Sequence, residues 1–256
     1  MTIINCYFKS NTDCAFYVEN VRFIATYASV FTDGISHFLA VVDVNFSWYI
    51  YFSGCFFIKN KYGSGVCVRE FAKIFFTNTS FCYNFAKQGG AGISLWDGHY
   101  VVVKNCYFVH NIGNNGAGIH IEDLTYSVIV TTYFCRNVAI KDGGGILVYK
   151  SKNKLFVYNC TILDNEAGRK GGGISANKIY NISILSCIVE LNQAINAGGI
   201  YSTRFKRLNL VGCTLTSNMA SAIGGAILSQ KLDGVFRHVV YICNSNFITN
   251  TAAVKS

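Results

Sequence analysis

Along most of this chain, apolar residues come in short runs that are broken by glycine, asparagine and serine before a helical period can be established. Val101-Val102-Val103 and Leu155-Phe156-Val157-Tyr158 are typical: four or so β-branched or aromatic residues, then a turn signal. An amphipathic helix needs a longer window of 3.6 periodicity, and glycine triplets would interrupt it. The pattern predicts short strands joined by turns.

Those strands belong to a repeat. Asparagine recurs at Asn11, Asn60, Asn84, Asn111, Asn137, Asn165, Asn192, Asn218 and Asn250, with spacings of 24 to 28 residues from Asn60 to Asn218. Three residues before each stands an apolar side chain, as in Phe57, Phe81, Phe108, Phe134, Ile162, Val189 and Leu215. Five residues before each stands cysteine or a small hydroxyl, as in Cys55, Thr79, Cys106, Thr132, Cys160, Cys187 and Cys213. A glycine cluster and an aliphatic residue follow most of the asparagines, as in Gly116-Ala117-Gly118-Ile119 and Gly171-Gly172-Gly173-Ile174. The interval from Asn11 to Asn60 is twice the others, which predicts one degenerate copy between them. The unit is about 27 residues long.

Stacking such units so that each strand pairs with its counterpart one turn later gives a parallel β-helix, a solenoid in which like positions recur every ~4.8 Å. The expectation is an all-β chain of nine to ten coils in a single domain, residues 1–256. Phenylalanines would stack inward, asparagine amides would bond the turns from coil to coil, and glycine would allow close backbone approach.

Composition sharpens this in three places. Hydrophobic residues make up 51% and charged residues 14%, which excludes intrinsic disorder. The net charge of +9 owes as much to few acids (13) as to many bases (22), so it does not by itself point to nucleic acid, and no nucleic-acid or phosphate-loop motif occurs. Eleven cysteines without a C-x-x-C pair predict neither a zinc site nor a redox motif. Six of them share one repeat position with threonine and serine, the signature of a small buried side chain, so free thiols are expected. The apolar stretch 38–58 is interrupted by Asp43, Asn45 and Ser47 and is read as sheet, not as a membrane span.

The Phe-x-x-Asn tetrapeptides (Phe57 to Asn60, Phe81 to Asn84, Phe108 to Asn111, Phe134 to Asn137) and the Gly-Gly-Ala-Ile run from Gly224 to Ile227 resemble the repeats of polymorphic outer-membrane proteins of chlamydiae. Those proteins belong to the pectin-lyase-like right-handed β-helix class. The resemblance implies a right-handed coil, display at the cell surface or secretion, and adhesion to a glycan or a partner cell-surface protein. It implies no cofactor and no catalytic residue. No secretory leader is visible and repeats are cut at both termini, so the chain reads as a fragment of a longer protein.

One further column carries candidate chemistry. Four positions after the aliphatic residue of each glycine cluster stand Asp97, Asp123, Lys150, Lys178, Arg204 and Lys231. Facing outward, Lys150, Lys178, Arg204 and Lys231 would form a basic stripe suited to an acidic glycan. Asp97 and Asp123, with His120 and Glu122 beside them, are the residues on which polysaccharide cleavage would have to rest, because glycosidases need two carboxylates about 5–9.5 Å apart. A strand end, where exposed charge is ordinary and like-charged neighbours reflect drift among repeats, is the preferred explanation of the column. The function expected from sequence is therefore a non-catalytic structural or adhesive β-helix segment, with a polysaccharide-binding or polysaccharide-degrading protein as the alternative.

Overall fold

The computed structural model describes residues 1–36, 40–230 and 239–253. Lys231 and His238 lie outside the described residues. The chain winds as a parallel β-helix of about nine turns with roughly 26 residues per turn. Between the first and last described turns, strands pair in parallel with their equivalents one turn before and one turn after, as Phe81 does with Phe57 and Phe108.

Each turn contributes to three sheets. A wide sheet runs through segments such as Ile93–Lys104, a middle sheet through three-residue strands such as Tyr107–Val109, and a narrow sheet through pairs such as Ile112–Gly113. The strands of the narrow sheet, two to five residues long, are too short for alternation to show in the sequence.

The repeat columns are continuous in space. Phe8, Phe31, Phe57, Phe81, Phe108 and Phe134 form one stack with ring centroids 4.6–4.9 Å apart, continued by Ile162, Val189 and Leu215. From Phe31 to Leu215 this column is fully buried, and each large side chain contributes about 1.5–3 kcal/mol. Phe31 belongs to the degenerate copy expected between Asn11 and Asn60, where Ser29 takes the small-residue slot and Gly34 the asparagine slot.

From Asn60 to Asn218 the asparagines build a buried amide ladder. Asn137 Nδ2 donates to Phe108 O at 2.8 Å and to Asn165 Oδ1 at 2.9 Å, while the main-chain N–H of Asn137 donates to the same Oδ1 at 3.0 Å. The same three bonds recur on the neighbouring coils. They satisfy polar groups that burial would otherwise penalise.

The cysteine column lies beside the ladder, and all eleven thiols are free. Cys160 and Cys187 each point the thiol at the carbonyl two residues earlier, at 3.3 and 3.2 Å, and Cys187 Sγ accepts the main-chain N–H of Cys160 at 3.4 Å. Thr79 and Thr132 make the equivalent bonds with their hydroxyls, which is why the two residue types interchange. Glycine is required where successive coils touch: a Cβ on Gly118 would stand 2.5 Å from Gly145 O and 3.0 Å from the Phe134 ring.

Candidate functional site

The column that carries the candidate charges is a backbone feature before it is a chemical one. Asn20, Phe46, Glu70, Asp97, Asp123, Lys150, Lys178 and Arg204 all have φ between 50° and 58°, the left-handed region. Each marks the corner at which the wide sheet bends into two faces. The left-handed conformation costs a non-glycine residue about 1–2 kcal/mol. Acid, base, amide and phenyl share the same φ, so conformation rather than charge unites the column.

At the boundary between acids and bases the charges meet. Lys150 Nζ lies 3.2 Å from Asp123 Oδ2 and 3.6 Å from Glu122 Oε1, and the Asp123 contact lifts the lysine pKa above its ordinary value. Lys178 Nζ donates to the Tyr149 hydroxyl at 3.0 Å, and both lysines stand 5.1 Å from the Tyr149 ring centre. Arg204 is exposed at the next corner. Of the predicted basic stripe, Lys150 is thus neutralised by acids, Lys178 is held by a phenol, and Arg204 faces solvent.

His120 is not on an exposed edge. It sits on the outer side of the wide sheet, 7% exposed, with Trp96 edge-on at 5.6 Å. Burial holds its pKa down at about 4, so the ring is neutral at pH 7. Its Nε2 is 3.8 Å from Glu122 Oε2, and its buried Nδ1 has no partner. The ring lines a cavity of about 190 Å³ together with Asn115, Glu122, Asp142, Lys170 and Tyr201. The acids here are already engaged: Asp142 takes two bonds from Arg169 at 3.2 and 2.9 Å, and Glu122 faces Lys150. Such carboxylates are poorly placed to trade protons with a substrate.

A larger and more open groove of about 740 Å³ runs past the next corners toward the N-terminus, lined by Phe46, Trp48, Glu70, Phe71, Asp97 and His99. Trp48 is 63% exposed. Glu70 and Asp97 stand on adjacent coils, since Arg69 pairs with Trp96 and Phe71 with Gly98. Sequence reasoning missed both Trp48 and Glu70 because neither belongs to a repeat motif; the corner position of Glu70, four residues after Val66, was the available signal.

The outer side also carries a partly exposed aromatic run. On the second face of the wide sheet, beyond the corner, Phe23, Tyr51, Phe75, Tyr100 and Tyr126 form a ladder with ring centroids 5.6, 4.7, 6.2 and 6.5 Å apart. Lys73 lies 5.7 Å from the neighbouring Tyr49 ring.

Among the solved structures, that of PfbA, a surface adhesin of Streptococcus pneumoniae, is similar to 97% of this chain over 84% of its own length, at 9% identity and a TM-score of 0.31. At that score the likeness carries no argument about role. No curated protein matches. The family model described as "Right handed beta helix region" matches residues 1–133 and 64–235, and with the parallel coil described above it places this chain in the right-handed β-helix family.

Proposed function

We propose that this chain is a non-catalytic adhesive segment of a cell-surface or secreted protein, a stiff coil that holds a glycan or a partner surface protein against its outer side. The observation that carries the reading is the aromatic ladder on the outer side, in which Phe23 and Tyr126 are exposed and Tyr51, Phe75 and Tyr100 are half-buried. The part of each ring that stays in water adds nothing to folding, whereas interfaces use such rings as anchors. The carboxylates nearest the His120 cavity are tied to Lys150 and Arg169, which fits binding better than proton transfer. The basic corner residues Lys178 and Arg204 would add attraction for acidic groups. The test is a panel of immobilised glycans and cell-coat extracts probed with the purified chain. Retention that weakens when Tyr51, Phe75 and Tyr100 are replaced together supports the reading, and absence of retention on every surface overturns it.

Polysaccharide cleavage is favoured by one observation: among the described residues, Glu70 and Asp97 flank the Trp48 groove on adjacent coils with no cation bound to either. Turnover of pectic or uronic substrates, abolished by Asp97→Asn, would replace the adhesive reading. A panel without turnover removes the alternative.

A further inference from the structure

Buried polar atoms normally have a hydrogen-bond partner, and the cavity of about 190 Å³ beside His120 breaks that rule twice. His120 is 7% exposed, and its Nδ1 has no partner among the described residues. The Glu122 carboxylate, 3.8 Å from Nε2, keeps the proton of the neutral ring on that nitrogen, so Nδ1 is a bare acceptor. Asn177, on the cavity wall two coils later, buries its Oδ1 without a partner as well. Leu147, paired with His120 on one side and Ser175 on the other, lines the cavity between them. An unpaired buried acceptor keeps the full cost of leaving water, so both call for a donor that the chain does not supply. The charges add a second requirement. Arg169 binds both oxygens of Asp142, and Lys150 stands 3.6 Å from Glu122 Oε1. Lys170, on the same coil as Asn177, is left over: its ammonium lies 5.0 Å from the Tyr201 ring centre and forms no salt bridge with a described carboxylate.

We infer that this cavity binds a free α-amino acid with a carboxamide side chain, of the size of glutamine. The carboxylate of the ligand pairs with Lys170 and its ammonium donates to Asn177 Oδ1, two groups that one coil presents together. The side chain runs back along the axis over Leu147 and offers an amide N–H to His120 Nδ1. Two coil steps separate the acceptors by roughly 10 Å along the axis. With a hydrogen bond of about 3 Å at each end, the two donor nitrogens of the ligand stand roughly 4–6 Å apart, within the reach of glutamine. Ornithine has the same length but ends in a second ammonium, a poor fit where the charge left over around the cavity is already positive. Glutamate has the same length and no donor at its tip. A small carboxylate without an ammonium answers Lys170 and leaves Asn177 Oδ1 unpaired. The inference stands apart from the adhesive reading, which concerns the aromatic ladder.

The experiment titrates the intact chain at pH 7 with glutamine, glutamate, ornithine, norvaline and galacturonate by calorimetry, and follows the ¹⁵N resonance of His120 Nδ1 in the parent protein. The expected result is saturable binding of one glutamine, at least tenfold tighter than any of the other four. Saturation should move the His120 Nδ1 resonance upfield, as hydrogen bonding to a bare imidazole nitrogen requires. Asn177→Leu and Lys170→Met should each weaken glutamine at least tenfold. Arg136→Gln, just beyond the middle-sheet strand Tyr133–Cys135, is the charge control for Lys170→Met and should change binding by less than twofold. Circular dichroism and a melting curve confirm that each variant is folded. Absence of glutamine binding would overturn the inference and leave water to satisfy both acceptors. So would ornithine, glutamate or galacturonate binding as tightly as glutamine, folded variants that bind like the parent, or saturation that leaves the His120 resonance in place.

Discussion

Replacing Asn165 by alanine tests the load borne by the amide ladder. Asn165 Oδ1 accepts the main-chain N–H of Asn137 at 3.0 Å and Asn137 Nδ2 at 2.9 Å, and Asn165 Nδ2 donates to Phe134 O at 3.1 Å and Asn192 Oδ1 at 2.9 Å. Alanine strands two donors on Asn137, which is fully buried and out of reach of water. Asn192 Oδ1 keeps its bond from the main-chain N–H of residue 165. Each stranded buried donor costs about 1–3 kcal/mol, so the substitution should destabilise the coil by about 2–6 kcal/mol. The matched control is Asn11→Ala, at a half-exposed slot whose Nδ2 has no partner, expected to cost less than about 0.5 kcal/mol. Urea titration followed by circular dichroism reads the global change, and hydrogen exchange at Asn137 reads the local one. A shift below about 0.5 kcal/mol for Asn165→Ala, or equal shifts for the two variants, would refute the ladder as a source of stability.

Three further outcomes follow from the same geometry. His120 is held neutral down to about pH 4 but titrates near 6.5 when unfolded, so stability should be level above pH 6.5, fall by up to about 3 kcal/mol between 6.5 and 4, and level off below; His120→Leu, which copies Leu147 one coil later, should abolish that component, and parallel pH profiles would contradict it. Gly118→Ala drives a methyl group onto Gly145 O and the Phe134 ring and should cost about 1–3 kcal/mol in a thermal melt, with an unchanged midpoint counting against close contact of the coils. Cys187→Thr should be near neutral because threonine fills the same slot in other coils, whereas Cys187→Ala leaves the Cys160 N–H unpaired and should cost about 1–3 kcal/mol; equal melting points for the two would refute the hydrogen-bonding role.

The repeat was legible because a solenoid turns one-dimensional periodicity directly into spatial columns. Phenylalanine, asparagine and cysteine each announce one slot, and each slot proved to be a continuous stack or ladder. The degenerate copy was legible by its length alone, and Ser29, Phe31 and Gly34 fill it. The chemistry of the outer surface was harder to read. Lys150 appears from sequence as one of four like charges, but its partners Asp123 and Glu122 come from the preceding coil. His120 looks like an exposed neighbour of acids, yet it is buried against Trp96 of the preceding coil, a contact that no spacing encodes. The aromatic ladder was invisible because Phe23, Tyr51, Phe75, Tyr100 and Tyr126 come from five coils and share no motif; only the fold brings them into line.

The parallel register also dictates how such a coil yields to tension. Every bond between neighbouring turns runs roughly along the long axis, so a pull applied to the two ends loads the terminal turn first, and it peels away while those behind it hold. Each turn released frees roughly 26 residues, or about 85 Å of extended chain. A tether of this kind would lengthen in a series of small, even steps and dissipate work at each one. Optical-trap traces with that sawtooth spacing are the expected record; rupture of the whole coil in a single event would show that the turns do not fail in sequence.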